Sequence, residues 1–147
     1  MIPRRGFSLI EAVVVIVIAG VILALAIPVF TDQESKASHF PEQAKAGVRY
    51  AQRQAVAQRR CVFVSVTGTE VALFYGDAGC TSADTTNPVA DIASGAPYKL
   101  TAPSGLTIVP PTPAQFSFNG LGRPSAGVAF SVGGHNVNVE AETGYVR

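Results

Sequence analysis

Twenty consecutive residues, Ala12 to Thr31, carry no charge, and nearly all of them are apolar. A helix of that length spans about 30 Å, the thickness of a bilayer core. Such a segment needs lipid or other apolar helices around it, so it cannot be folded into the centre of a small domain. What remains of the 147 residues is enough for one modest domain. That remainder reads as ordinary globular sequence rich in Gly, Pro, Ser and Thr. The formal net charge of +1 supplies no bulk field that would attract nucleic acid.

The residues in front of the run set its direction and its oddity. Arg4 and Arg5 precede it, so the positive-inside rule keeps them in the cytoplasm and sends the chain beyond Phe30 outward. A secretory leader would place a small-residue cleavage site behind the apolar stretch. "AIPVFTD" supplies none, and a plain N-terminal anchor is the simplest reading. That reading leaves Glu11 unexplained. A carboxylate in hydrocarbon costs a few kcal/mol or more, and intramembrane acids are as a rule paired and functional. A glutamate snorkelling at the membrane edge is the structural alternative.

"GFSLIE", Gly6 to Glu11, follows basic residues and opens an uninterrupted apolar helix with Pro28 near its end. This resembles the prepilin motif of type IV pilins and type II secretion pseudopilins. The resemblance implies cleavage after Gly6 by a prepilin peptidase on the cytoplasmic side, with Phe7 becoming an N-methylated terminus. It further implies a leader at 1–6, a transmembrane and filament-core helix at 7–31 kinked at Pro28, and a periplasmic or extracellular domain at 32–147. On this expectation the protein sits in the bacterial inner membrane, then passes through an assembly platform into a filament of sister subunits. Glu11 would neutralise the terminal amine of a neighbour. Two charges that are each costly in hydrocarbon become tolerable together, so the pair would set the axial register of packed helices.

Beyond the apolar run, Phe40, Ala44, Val48, Ala51 and Ala55 fall on one face of a helix from about Phe40 to Arg59. Small residues there would let a sheet lie close. Pro41 fits a first helical turn, which predicts a break near Ser38–His39. "CVFVSVT" and "EVALFY" around Gly68-Thr69 predict a hairpin turning at Thr67 to Glu70. "GLTIV", "QFSFN", "GVAFSV" and "HNVNVE" predict four more strands, with Gly133-Gly134 turning the last pair. In "GVAFSV" the alternation puts Val128, Phe130 and Val132 on one face. Thr81 to Pro97 reads as a long polar loop, and "PPTP" at Pro110–Pro113 as a stiff connector. Helix first and antiparallel strands after give an α+β class, a hydrophobic helix continuing into an amphipathic one packed on a sheet. "FSFNGLGRPSAG" (Phe116–Gly127) and "ETGYVR" (Glu142–Arg147) resemble GspH/FimT-type minor pseudopilins. The glycine-rich part also resembles minor pilins of mannose-sensitive haemagglutinin (MSHA) pili.

Little here suggests an enzyme or a cofactor. His39 and His135 have no nucleophile in a recognisable setting. Cys61 and Cys80 lack the spacing and the histidines of a zinc site. Outside the cytoplasm they would form one disulfide, with two buried thiols as the other reading. Asp77, Asp84 and Asp91 do not match a calcium-loop pattern and read as solvated loop acids. The alternative function is capture of DNA, as in some FimT-like minor pilins. Lys45, Arg49 and Arg53 step by four, Arg59 and Arg60 follow, and only Glu42 opposes them; such a stripe could contact phosphates. A solvated face or a contact to acidic neighbours in the fibre is the reading preferred for it, and the few basic residues past Cys61 depart from the basic C-terminal motif of the DNA-binding relatives.

Overall fold

A computed structural model of the chain describes residues 8–25 and 32–147. Gly6, Phe7 and Pro28 lie outside the described residues. The chain divides into two compact units, Met1–Thr31 and Asp32–Arg147.

In the first unit, α1 runs Leu9–Leu25 over 17 residues. Ser8 sits at its N-cap, its carbonyl accepting from the amides of Glu11 (3.0 Å) and Ala12 (3.2 Å). The large apolar side chains described along α1, Leu9 to Val21, are about half exposed or more, from 49% at Val14 to 82% at Leu9. At 1.5 Å per residue the described helix is about 26 Å long. No helix among the described residues is long and apolar enough to cross a membrane.

The second unit opens with α2, Asp32–Gln58. It passes through Pro41 without interruption, which corrects the expected break near Ser38–His39. Proline forfeits one intrahelical hydrogen bond, but its φ suits a helix. Here Phe40 and Pro41 are both buried, so packing holds together the turn that the missing amide weakens. Helix α2 ends in a Schellman motif, with Arg60 N–H bonding Ala55 O (3.2 Å) and Arg59 N–H bonding Val56 O (3.3 Å). Arg59 takes the left-handed position (φ 50°) that glycine ordinarily fills. For a residue with a Cβ that costs roughly 1–2 kcal/mol.

Eight strands follow: β1 (Val62–Val66), β2 (Glu70–Gly76), β3 (Ala83–Pro88), β4 (Lys99–Thr101), β5 (Ile108–Val109), β6 (Gln115–Phe118), β7 (Val128–Val132) and β8 (His135–Val139). One sheet has the order β3-β2-β1-β6, with β4 also paired to β2; a second has the order β5-β7-β8. All pairings are antiparallel, as expected for the α+β class. The β1–β2 turn closes where Thr67 N–H meets Glu70 O (2.9 Å). Gly133 and Gly134 both have positive φ, the conformation a two-residue primed turn demands. Val128, Phe130 and Val132 are buried together.

The Thr81–Pro97 segment corrects the polar-loop expectation. Ala83–Pro88 pairs with β2 as an edge strand, and Val89 is fully buried, its amide on Leu73 O (3.0 Å). "ADTTNP" has no apolar alternation because the strand is held by backbone pairing and buries little side chain. Strand β4 was not legible for the same reason.

The core forms where Phe40, Ala44, Val48, Ala51 and Ala55 of α2 meet Val62, Val64, Val66, Leu73, Phe116, Phe118, Val137 and Val139. Alanine at three of those five helical positions lets α2 lie across strands from both sheets.

Candidate functional site

Two surfaces carry the residues that matter. The first is α1. Glu11 is the one acid in its described length and lies in its first turn, where the helix dipole favours a negative charge. Ser8-Leu9-Ile10-Glu11 has capping-box spacing. Among the described residues, however, no hydrogen bond or ion pair reaches the Glu11 carboxylate. The helix therefore presents an apolar cylinder with one acid near its start, and nothing described in its own unit covers it.

The second surface runs along the flank of α2 that faces the C-terminus. Gln52 Nε2 donates to both Gly122 O (2.9 Å) and Thr143 O (3.1 Å). Arg49 Nη2 donates to Val146 O (2.9 Å), and Arg123 pairs with Glu142 at 2.7 Å. Residues 138 and 147 exchange both backbone hydrogen bonds, at 2.9 and 3.0 Å. Thus "FSFNGLGRPSAG" and "ETGYVR", far apart in the chain, form one knot clasped by α2. Gly144 permits the closeness: a Cβ there would stand 2.6 Å from Gly122 O and from Gln52 Nε2, at φ 69°.

The basic stripe is divided by the fold. Lys45 pairs with Glu42 (2.9 Å), and that bond holds the Glu42 carboxyl below its usual range. Arg49 is spent on Val146. Arg60 lies over the Tyr75 ring, 4.3 Å from its centroid, and Tyr75 OH accepts from Gln54 (3.1 Å). The Arg53 and Arg59 side chains are exposed, with no side-chain hydrogen bond or ion pair among the described residues.

Cys61 and Cys80 are disulfide-bonded with Cα atoms 5.7 Å apart. The bond ties the start of β1 to the β2–β3 turn. Asp77 organises the same turn, accepting from Thr81 N–H (2.7 Å), Thr81 Oγ1 and Ser82 N–H (3.2 Å). Those bonds, the Thr81 hydroxyl first, hold its carboxyl below the usual range. Asp84 likewise serves Thr86, and Asp91 serves Ser94. Each acid is spent on its own turn, and no group of three or more metal-ligating side chains occurs among the described residues. His39 and His135 are both exposed.

Residues 1–27 match the prokaryotic N-terminal methylation motif. The fold is similar to that of the type IV minor pilin FimU of Pseudomonas aeruginosa: 16% identity, TM-score 0.53, covering 78% of this chain and 88% of that one. A second crystal form of FimU gives 17% identity and a TM-score of 0.50, covering 75% and 90%. This is a minor-pilin fold behind a pilin-type methylation motif. A search of the curated proteins finds no sequence relative. The chain's α+β fold is the one expected from the order of helices and strands.

Residues that sequence reasoning missed are Gln52 and Gly144, which clasp the knot, and the exposed aliphatic residues Val56, Ile92 and Leu121. A "TG" near a C-terminus and a leucine between two glycines were the available signals. Neither distinguishes a buried clasp from a solvated turn without the contacts.

Proposed function

We propose that this chain is the precursor of a minor pilin or pseudopilin, a non-enzymatic subunit that works by packing and one charge pairing. Cleavage after Gly6 by a prepilin peptidase exposes the amine of Phe7, which is then N-methylated. The 7–31 segment anchors the subunit in the inner membrane with residues 32–147 on the periplasmic side, until the assembly platform passes it into a filament. There Glu11 meets the terminal amine of a neighbouring subunit.

One observation carries this reading: the large apolar side chains described along α1, Leu9 to Val21, are exposed, with a single acid in the helix's first turn. Apolar surface supplies adhesion without direction, and a charge pair in low dielectric supplies the register. The methylation motif spans the cleavage pair and Glu11 together.

The test is Glu11→Gln in the full chain. The neutral side chain leaves the neighbour's amine unpaired, a loss of a few kcal/mol, so recovery in the sheared filament fraction should fall about tenfold or more. Recovery in the membrane fraction should be unchanged. Normal filament recovery would sink the pairing. Mass spectrometry of the membrane form should show loss of residues 1–6 and gain of a methyl group; a plain anchored domain unrelated to filaments would keep Met1. For the DNA alternative no geometric support emerges, since Lys45, Arg49 and Arg60 are engaged within the fold.

A further inference from the structure

Among the described residues, two that are not glycine hold a positive φ, Arg59 (50°) and Cys80 (55°). They meet at one place. Arg59, Arg60, Cys61, Asp77 and Cys80 line a single open hollow of about 420 Å³, so the disulfide forms part of its wall. A left-handed backbone is strained for a residue with a Cβ, and such strain gathers where side chains are held for a task. Here it puts one sulfur and one guanidinium on the same hollow.

The two sulfurs differ in access. Cys61 is 4% exposed, and its carbonyl accepts from Gly76 N–H (2.8 Å), which pins it to β2. Gly76 closes that side: a Cβ there would stand 3.0 Å from Cys61 Cβ and 2.8 Å from the Phe63 ring. No group the size of a thiol fits between β2 and Cys61. Cys80 is exposed in the turn between β2 and β3, its amide on Asp77 O (3.1 Å).

The charges of the hollow lean positive. The Arg59 side chain has no hydrogen bond or ion pair among the described residues, and Arg60 lies over the Tyr75 ring. The Asp77 carboxylate is occupied by Thr81 and Ser82. Two cations against one occupied acid attract an anionic reagent and stabilise a thiolate released beside them. Burial of Cys61 opposes a thiolate there, so access decides which sulfur is attacked.

We propose that Cys61–Cys80 is a modification site for a small anionic thiol, a peptide thiol with free carboxylates, which attacks Cys80 Sγ and stays there as a mixed disulfide. The incoming thiolate sulfur forms the new S–S bond to Cys80. The Cys61–Cys80 bond breaks, its electron pair remains on Cys61 Sγ, and that thiolate takes a proton from water. One disulfide and one thiolate thus give another disulfide and another thiolate, and no further oxidant or reductant is needed. The β2–β3 corner is capped and released from β1, while the core cluster, which contains neither cysteine, stays in place. The site is independent of Glu11 and of the filament reading.

The test treats the full chain in detergent, without denaturant, with glutathione, traps free thiols with N-ethylmaleimide and maps both labels by peptide mass spectrometry. Glutathione should be found on Cys80 and maleimide on Cys61, with the reverse pattern about tenfold rarer or less. Cysteamine, a cationic thiol, should react about fivefold more slowly at matched thiolate concentration, the scale of an exposed ion pair. Arg59→Glu should remove that preference. Where Cys61 expels the glutathione before trapping, Cys61→Ala and Cys80→Ala report access separately. With oxidised glutathione, the thiol left in the first should be modified about tenfold faster than the thiol left in the second. Far-UV dichroism of the modified chain should match that of the untreated one. Glutathione on Cys61, equal use of both sulfurs, reaction only in denaturant, or equal rates for the two thiols would each overturn the proposal.

Discussion

At Gly144 a single missing methyl group decides whether the chain end can fold back. A Cβ there would meet a backbone oxygen and the Gln52 amide at 2.6 Å, and the positive φ adds strain. Gly144→Ala should therefore destabilise the domain by about 2 kcal/mol or more, read as a lower midpoint in denaturant with unchanged slope. An unaltered midpoint would mean that the clasp does not form in solution. Glu11 belongs to the same scale but differs in legibility. An acid beside an uncharged run announces itself in one dimension, whereas Gly144 is one of 14 glycines until its neighbours from residues 52 and 122 are seen. Arg59 was legible as a charge and illegible as a strained helix cap.

Among the elements, α2 shows what periodicity can and cannot tell. The spacing of Phe40, Ala44, Val48, Ala51 and Ala55 was readable as one face, and all five are buried. Where the helix begins was not, because Pro41 carries opposite meanings at a first turn and in a packed interior. The β2–β3 turn is a second case. Its strand β3 has no apolar pattern, yet the turn is secured twice, by the Asp77 network and by the disulfide to Cys61. Removing the disulfide by Cys61→Ala with Cys80→Ala should cost about 3 kcal/mol for a loop of this length. The loss should appear in thermal unfolding. Hydrogen exchange should rise first at Asp77–Pro88, while β7 and β8 stay protected. Uniform loss of protection would show that the bond supports the whole domain and not that corner.

On the scale of the whole molecule, the core cluster among the described residues is drawn from Phe40 to Val146, all within the second unit. Residues 32–147 alone should consequently give a soluble, cooperative unfolding transition with far-UV dichroism of mixed helix and strand. The full chain should need detergent or membrane. A fragment that is molten or aggregated would show that the head depends on the N-terminal helix.

An unbroken apolar run, one acid and a motif of a few residues were enough to state what kind of environment the N-terminus needs, because hydrophobicity and charge act through local composition. The α+β order of elements was equally plain, since helical and strand periodicities are properties of neighbours in the chain. The clasp of Gln52 on two distant turns and the division of the basic stripe were decided only in three dimensions. Each depends on a donor, a ring or a carbonyl brought from dozens of residues away, and such a meeting leaves no periodic trace in the residues that take part.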